Sequence, residues 1–287
     1  MKVLEDSMKI VSDSASNITE LDRVKFASVS IRVLTEKKEY VDDSEAGVAK
    51  MVEELSVYKG KSRTSCPAPG DWIEAFDGED EIFVTTITSG LSGSYNSAMV
   101  AKQQYEDDNP GKKVFVVDSL SAGPEIGLII FKLRDLILEG KDFETISQEI
   151  MEYKKKTMLS FSLENLANLA NNGRVNPAVA KIVGFVGIRL VGRASIEGTL
   201  QPTDKSRGER KALITIMNNM KKYGYIGGRV LIDHCQNLNA AEELKALLKA
   251  EFPNADIAIG TNKALCSFYA EKGGVLVGYE VKDVKPA

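Results

Sequence analysis

Four short stretches concentrate the side chains that could do chemistry. Three are Ser12-Asp13-Ser14, Thr88-Ser89-Gly90-Leu91-Ser92-Gly93-Ser94 and Asp118-Ser119-Leu120-Ser121-Ala122-Gly123. Each follows an apolar run that reads as a strand and precedes a helical pattern. Helix N-termini carry unpaired N–H groups and partial positive charge, so small hydroxyl residues there suit an anion. In a parallel sheet all three loops lie at the carboxyl edge, where ligands bind in such folds. The fourth stretch, Ser62-Arg63-Thr64-Ser65-Cys66-Pro67-Ala68-Pro69, is rich in donors and stiffened by prolines. Any one loop alone is explained by helix capping. Four together point to a site for a small anionic ligand.

Enzymatic readings of these loops are weaker. Gly90-Leu91-Ser92-Gly93-Ser94 resembles a nucleophile elbow, but serine stands where Gly-x-Ser-x-Gly ends in glycine. His234 is the sole histidine, so a serine hydrolase or phosphotransferase would have to pair Ser92 with His234. Neither Gly-x-x-x-x-Gly-Lys-Ser/Thr nor Gly-x-Gly-x-x-Gly occurs, and no cofactor is expected. Cys66, Cys235 and Cys266 are odd in number and widely spaced, which argues against a disulfide framework. They lack metal-ligand spacing with His234, no metal site is expected, and the thiols read as small buried hydrophobes.

Strand and helix patterns alternate through the first half. Lys9–Ser12, Ser28–Val33, Ile82–Ile87 and Lys113–Val117 read as strands; Ser94–Tyr105, Gly123–Leu138 and a helix capped by Asp142 follow them. This order predicts a parallel sheet with helices on both faces. After Lys154-Lys155-Lys156 the character changes. Met158–Leu163 reads as a strand, Leu163–Asn171 as a helix stopped at Asn172-Gly173, and Asn176-Pro177 opens a helix to about Val183. Ile188–Ile196 is predicted as a strand with a Glu197-Gly198 turn, followed by a Glu209–Lys222 helix. Asn239 with Glu242 forms a capping box for another helix, before strands at Ile257–Ile259 and Val275–Tyr279. The boundary falls near residue 157, giving an α/β protein of two domains, 8–156 and 157–287.

The 287 residues suffice for two packed cores. Net charge is −4, from 37 basic and 41 acidic residues, so no nucleic-acid partner is expected. No apolar run approaches the roughly 18 residues of a spanning helix, so no stable membrane insertion is expected. The N-terminus lacks an apolar core of signal-peptide length, and the cytoplasm is the expected compartment.

The same loops resemble the DegV family of bacterial lipid-binding proteins. Met8-Lys9-Ile10-Val11-Ser12-Asp13-Ser14 looks like that family's start, which leaves residues 1–7 as an extension. Thr64-Ser65-Cys66-Pro67 is similar to its Thr-Ser-x-Pro loop, and Ser89-Gly90-Leu91-Ser92-Gly93-Ser94-Tyr95 to its Ser-x-Leu-Ser-Gly-Thr-Tyr element. Val117-Asp118-Ser119, Asn172-Gly173-Arg174-Val175, Ser206-Arg207-Gly208 and His234 with Asn239-Ala240-Ala241-Glu242 follow in family order. The resemblance implies a Rossmann-like N-terminal domain and a second α/β domain, with a long-chain fatty acid held between them. It implies that Thr64 and Ser92, with Ser65, Ser89 and Gly93 beside them, receive the carboxylate, while a buried tunnel takes the acyl chain. It also implies that the chain is not itself an enzyme, but presents the lipid to a separate ATP-dependent kinase subunit that makes the acyl phosphate. A different amphiphile is the alternative cargo.

One segment departs from the family pattern. Gly260-Thr261-Asn262-Lys263-Ala264-Leu265-Cys266 stands where the family has His-Thr-Gly-Pro-Gly-Ala, which aligns Asn262 with a ligand histidine. Asn262 is therefore expected at the head group, as a neutral donor; otherwise this loop is rebuilt and Asn262 caps the next helix. Arg174 and Arg207 either meet a phosphoryl group or the partner, or form ordinary surface ion pairs.

Overall fold

The computed structural model describes residues 7–41, 45–179 and 187–283. Its first sheet is built from β1 (Met8–Asp13), β2 (Lys25–Val29), β6 (Glu81–Thr86) and β7 (Lys113–Asp118). The order is β2-β1-β6-β7 and every pairing is parallel. Alternation along the strands sends Ile10 and Phe83 to one face and Val11, Ile82 and Val84 to the other. Both faces are therefore covered, as a parallel sheet requires. Helices α2 (Pro69–Phe76) and α3 (Ser94–Asp108) take one face, where Trp72, Phe76, Ala98 and Ala101 are fully buried. Helices α4 (Pro124–Leu138) and α5 (Phe143–Lys154) take the other. Asp142 caps α5 as expected, its Oδ1 accepting the Thr145 N–H at 2.7 Å.

The second sheet has the order β10-β9-β8-β13-β11-β12. It comprises β8 (Thr157–Leu163), β9 (Ile188–Ala194), β10 (Leu200–Arg207), β11 (Arg229–His234), β12 (Asp256–Thr261) and β13 (Val275–Glu280). Only β11 and β12 run parallel. Helices α7 (Glu209–Lys222) and α8 (Leu238–Glu251) cover one face through Leu213, Ile216, Leu244 and Leu248. Helix α4 touches both large sheets, which is why it is buried nearly all round. Gly278 on β13 permits that approach, because a Cβ there would stand 2.5 Å from the Pro124 carbonyl carbon. No helix among the described residues is long and apolar enough to cross a membrane.

A third, antiparallel sheet of order β4-β3-β5 lies apart from these two. It consists of β3 (Arg32–Thr35), β4 (Glu39–Tyr40) and β5 (Ser62–Ser65), with α1 (Glu45–Val57) beside it. Val33, Val48, Met51 and Val52 pack there on Ala264 and Phe268 of α9 (Ala264–Ala270).

Several sequence expectations are corrected. Ser28–Val33 is not one strand: the chain leaves the first sheet after Val29, the Ile31 N–H donates to Ser14 Oγ at 3.0 Å, and β3 begins in another sheet. Leu163 ends β8 rather than opening a helix, and α6 covers only Ala167–Asn171. The strand at Ile188 stops at Ala194, and its turn leads into β10, which carries no predicted strand. Helix α8 starts at Leu238, one residue before the expected cap Asn239, so Asn237 holds the cap position. The Asn237 amide is bound to Glu209 and to the Gly273 carbonyl instead. The helix opened by Pro177 is helical over 177–179; its continuation to Val183 lies outside the described residues, as do residues 1–6 of the expected extension.

Candidate functional site

A cavity with about 860 Å³ of empty space, mouth included, opens where the first sheet's carboxyl-edge loops meet the second sheet and α9. Its body is apolar for a simple reason of periodicity. Leu159, Phe161 and Leu163 alternate along β8 toward the cavity, while Met158 on the same strand faces the α7 side. Leu200, Leu276, Cys266 and Ala270 extend this wall, and Ile31, Ile87, Leu91 and Ala122 close the opposite one. Gly192 on β9 lies beneath the Phe161 ring, which a Cβ at that position would overlap.

The polar members of the lining are Thr64, Thr88, Ser92, Ser121, Thr199, Tyr269 and Arg174. A hydroxyl has one proton and two lone pairs, so its existing bonds show what it has left to offer. Ser92 Oγ accepts the Ser94 N–H at 3.2 Å, leaving its own proton to donate elsewhere. Thr64 Oγ1 and Tyr269 Oη lie 2.9 Å apart and share one proton between them, which leaves the other free. Ser121 Oγ is buried and has no partner in the structure. Three O–H groups are thus unspent in an otherwise apolar wall. That arrangement suits an anionic or acceptor head on an apolar body. Arg174 donates from Nε to the Leu91 carbonyl at 3.3 Å and from Nη1 to the Asn172 carbonyl, so its guanidinium ties two loops together.

Of the expected site residues, Thr64, Ser92 and Arg174 line the cavity; Ser65, Ser89, Gly93, Asn262 and Arg207 do not. Ser65 is exposed on β5 opposite Arg32, and Thr64, its neighbour, is a strand residue of the small sheet rather than a loop residue. Ser89 is exposed, with its N–H on Asp118 Oδ1 at 3.1 Å. Gly93 caps α3, and a Cβ there would meet Cys66 Sγ at 3.2 Å. Arg207 is exposed at the end of β10, opposite Ile188.

Asn262 is fully buried in a different polar cluster. Its Oδ1 accepts from Asn17 Nδ2 at 3.2 Å, and the same Asn17 nitrogen donates to Asp233 Oδ2 at 2.7 Å. Helix α9 has Lys263 as its cap, without a side-chain bond, so the Asn262 amide does not cap it either. His234 lies outside the lining as well. Its Nδ1 accepts the Asn237 N–H at 3.2 Å, and burial pushes its pKa down. The Ser92–His234 pairing that a hydrolase would need is therefore not assembled. Cys235 and Cys266 are buried as expected, whereas Cys66 is exposed; no metal-binding group of three or more such residues occurs among the described residues.

Sequence reasoning missed Tyr269 as a lining group and marked Ser121 only as part of its hydroxyl-rich loop; two buried acids, Asp13 and Asp233, stand outside the lining. Asp13, at the end of β1, is fully buried, and burial pushes its pKa up to about 6 against the pull of its bonds to Ser94 and Ile87. Asp233 is likewise pushed up to about 6 by burial, with the Asn17 bond opposing. Ser12-Asp13-Ser14 signalled the first; nothing in the local pattern signalled the second.

Comparison with known proteins agrees with this architecture. The family model described as "Uncharacterised protein, DegV family" matches residues 7–282. A DegV domain-containing protein of Streptococcus gordonii is 42% identical over 277 residues, 95% of this chain and 99% of the relative. A DegV family protein from Eubacterium eligens, solved loaded with heptadecanoic acid, is 41% identical with a TM-score of 0.94, covering 96% of this chain and 100% of that one. The fatty acid kinase B3 protein of Streptococcus pneumoniae, solved loaded with linoleic acid, is 39% identical with a TM-score of 0.94 and the same coverage. On a family match that spans residues 7–282 and relatives aligned along almost their full length, this chain belongs to the DegV family.

Proposed function

We propose that this chain binds one long-chain fatty acid, with the acyl chain in the apolar cavity and the carboxylate at Thr64 and Ser92, and presents it to a separate ATP-dependent kinase subunit. The observation that carries this reading is the lining: unspent hydroxyls at Thr64–Tyr269, Ser92 and Ser121 in a wall of leucine, isoleucine and phenylalanine. The fatty acids in the E. eligens and S. pneumoniae proteins support the cargo, and the kinase membership of the latter supports the partner.

Ser65, Ser89 and Gly93 shape the rim, and Arg174 and Arg207 are the basic groups for the partner or for a transferred phosphoryl group. Asn262 enters the head-group site only if the Asn17–Asp233 cluster rearranges on binding. We also take residues 8–156 and 157–287 as the two domains, with the ligand between them, and the reducing cytoplasm as the compartment of a chain with three free cysteines.

Protein purified from a bacterial host tests the reading by native mass spectrometry and organic extraction. About one long-chain acid per chain is the expected result. A different amphiphile in the same stoichiometry would transfer the site to that cargo. A chain recovered without lipid, and unable to take up added fatty acid, would end the proposal.

A further inference from the structure

Asp13 lies behind the cavity wall and has no place in the binding reading so far. Its Oδ2 accepts two bonds, from the Ile87 N–H at 2.9 Å and from the Ser94 hydroxyl at 2.6 Å. Ile87 follows the last residue of β6 and Ser94 opens α3, so one carboxylate oxygen spans both ends of the loop 88–93. Within that loop the Ser94 N–H donates to Ser92 Oγ at 3.2 Å. Ser94 thus spends its hydroxyl proton on Asp13 and its amide proton on Ser92. Both Asp13 and Ser94 are fully buried, and Ile87 and Ser92 line the cavity.

We propose that Asp13 is the positioning residue of the head-group site, setting the direction of the Ser92 hydroxyl through Ser94 and Ile87. The inference rests on the fatty-acid reading for its consequence and on the loop geometry for its cause. Helix capping does not account for the contact: the cap of α3 is Gly93, with no side-chain bond, and the Ser94 hydroxyl points away from its own helix to β1. A buried carboxylate is expensive to keep without several donors, and here the donors come from the two segments that frame Ser92.

The test combines affinity with loop exchange. Delipidated wild type, Asp13→Asn, Ser94→Ala, Ser94→Thr, Ser92→Ala and the Ser92→Ala/Ser94→Ala double variant are titrated with heptadecanoic acid. Ser94→Ala is expected to bind about tenfold more weakly, Asp13→Asn several-fold more weakly, and Ser94→Thr within about twofold of wild type. The double variant should bind no more weakly than Ser92→Ala alone, because Ser94 acts through Ser92. Additive losses, or wild-type affinity in Ser94→Ala, would overturn the proposal. Hydrogen exchange of the ligand-free proteins supplies the second arm. In Asp13→Asn the 87–94 segment should exchange at least about tenfold faster while β1 and β6 stay protected. Unchanged exchange there refutes the positioning role whatever the ligand. If wild type takes up no fatty acid, the binding reading fails, and the exchange arm still decides whether Asp13 holds the loop.

Discussion

Gly198 offers a sharp test of how the cavity is closed. It sits at the tip of the β9–β10 hairpin, in the cavity lining, with φ +74°. A Cβ at that position would overlap Thr88 Oγ1 and stand 3.0 Å from Leu120 Cα. Thr88 is buried and its Oγ1 already accepts the Gly90 N–H at 3.0 Å, so it has little freedom to swing away. Gly198→Ala therefore combines two penalties: about 1–2 kcal/mol for a Cβ in the left-handed region, and about 1–3 kcal/mol for overpacking. Gly173 is the matched control. Its φ is +73° and a Cβ there would meet nothing within 4 Å, so Gly173→Ala carries the backbone penalty alone. Urea denaturation of the ligand-free proteins should show Gly198→Ala less stable than Gly173→Ala by about 1–3 kcal/mol. The relief available to Gly198→Ala is to lift the hairpin, which opens the wall formed by Gly198, Thr199 and Leu200, so its fatty-acid off-rate should also rise. Equal stabilities for the two variants would refute the packing account of the hairpin and leave only the backbone term.

Three further outcomes follow from the same contacts. Ser92→Ala and Thr64→Val should each weaken fatty-acid binding by about 10- to 100-fold, the value of roughly 1.5–3 kcal/mol for a bond to a charged group, measured by titration of delipidated protein; unchanged affinity for both would remove the carboxylate from this end of the cavity. Asn262→Ala should lower stability by about 1–3 kcal/mol through the Asn17 bond it breaks, with affinity nearly unchanged, whereas a loss of affinity at constant stability would bring Asn262 into the head-group site. Asp233 is raised from 3.8 to about 6, so the folded state holds the extra proton between about pH 4 and 6, and this stabilising contribution is lost as pH rises through that window. Asp233→Asn should therefore become less unfavourable by up to about 3 kcal/mol between pH 4 and pH 7.5 in denaturant titrations, and a pH-independent difference would show that the carboxyl titrates normally.

The edge strand β2, only partly buried, was misplaced to Ser28–Val33, but β1, β6 and β7 were legible as short apolar runs with clear punctuation. The small sheet was not, although it carries Thr64. Its strands are two to four residues long, and Ser62–Ser65 is polar throughout, with alternating partial exposure and no apolar signal to read. Strand β10 was hidden for a different reason. Leu200–Arg207 contains Pro202 and the charges Asp204 and Lys205, and it survives only as an edge strand with an irregularity between Pro202 and Asp204. The expected cap at Asn239 lies inside the helix, as its second residue, and the cap position is held by Asn237, whose amide bonds Glu209 and the Gly273 carbonyl. At the site, Thr64 and Ser92 were legible as hydroxyls in distinctive short motifs. Tyr269 was not, since an aromatic residue in an apolar helix reads as core, and only the fold brings its hydroxyl to Thr64.

The character of the head-group end bears on what a kinase partner would receive. The donors at Thr64, Ser92, Ser121 and Tyr269 are neutral hydroxyls, while Arg174, the cation in the lining, already gives two N–H groups to backbone carbonyls. Burying some 14 methylenes is worth on the order of 11 kcal/mol gross, against which association and ordering cost about 4–15 kcal/mol. Affinity is therefore set mainly by how completely the tail is buried, and each hydroxyl adds a modest increment with strong directionality. Neutral donors fix a carboxylate in place without cancelling its charge, as a buried ion pair would. On the proposed reading, that combination leaves a bound acid oriented by its head group, held by its tail, and still nucleophilic toward a phosphoryl donor supplied from outside the chain.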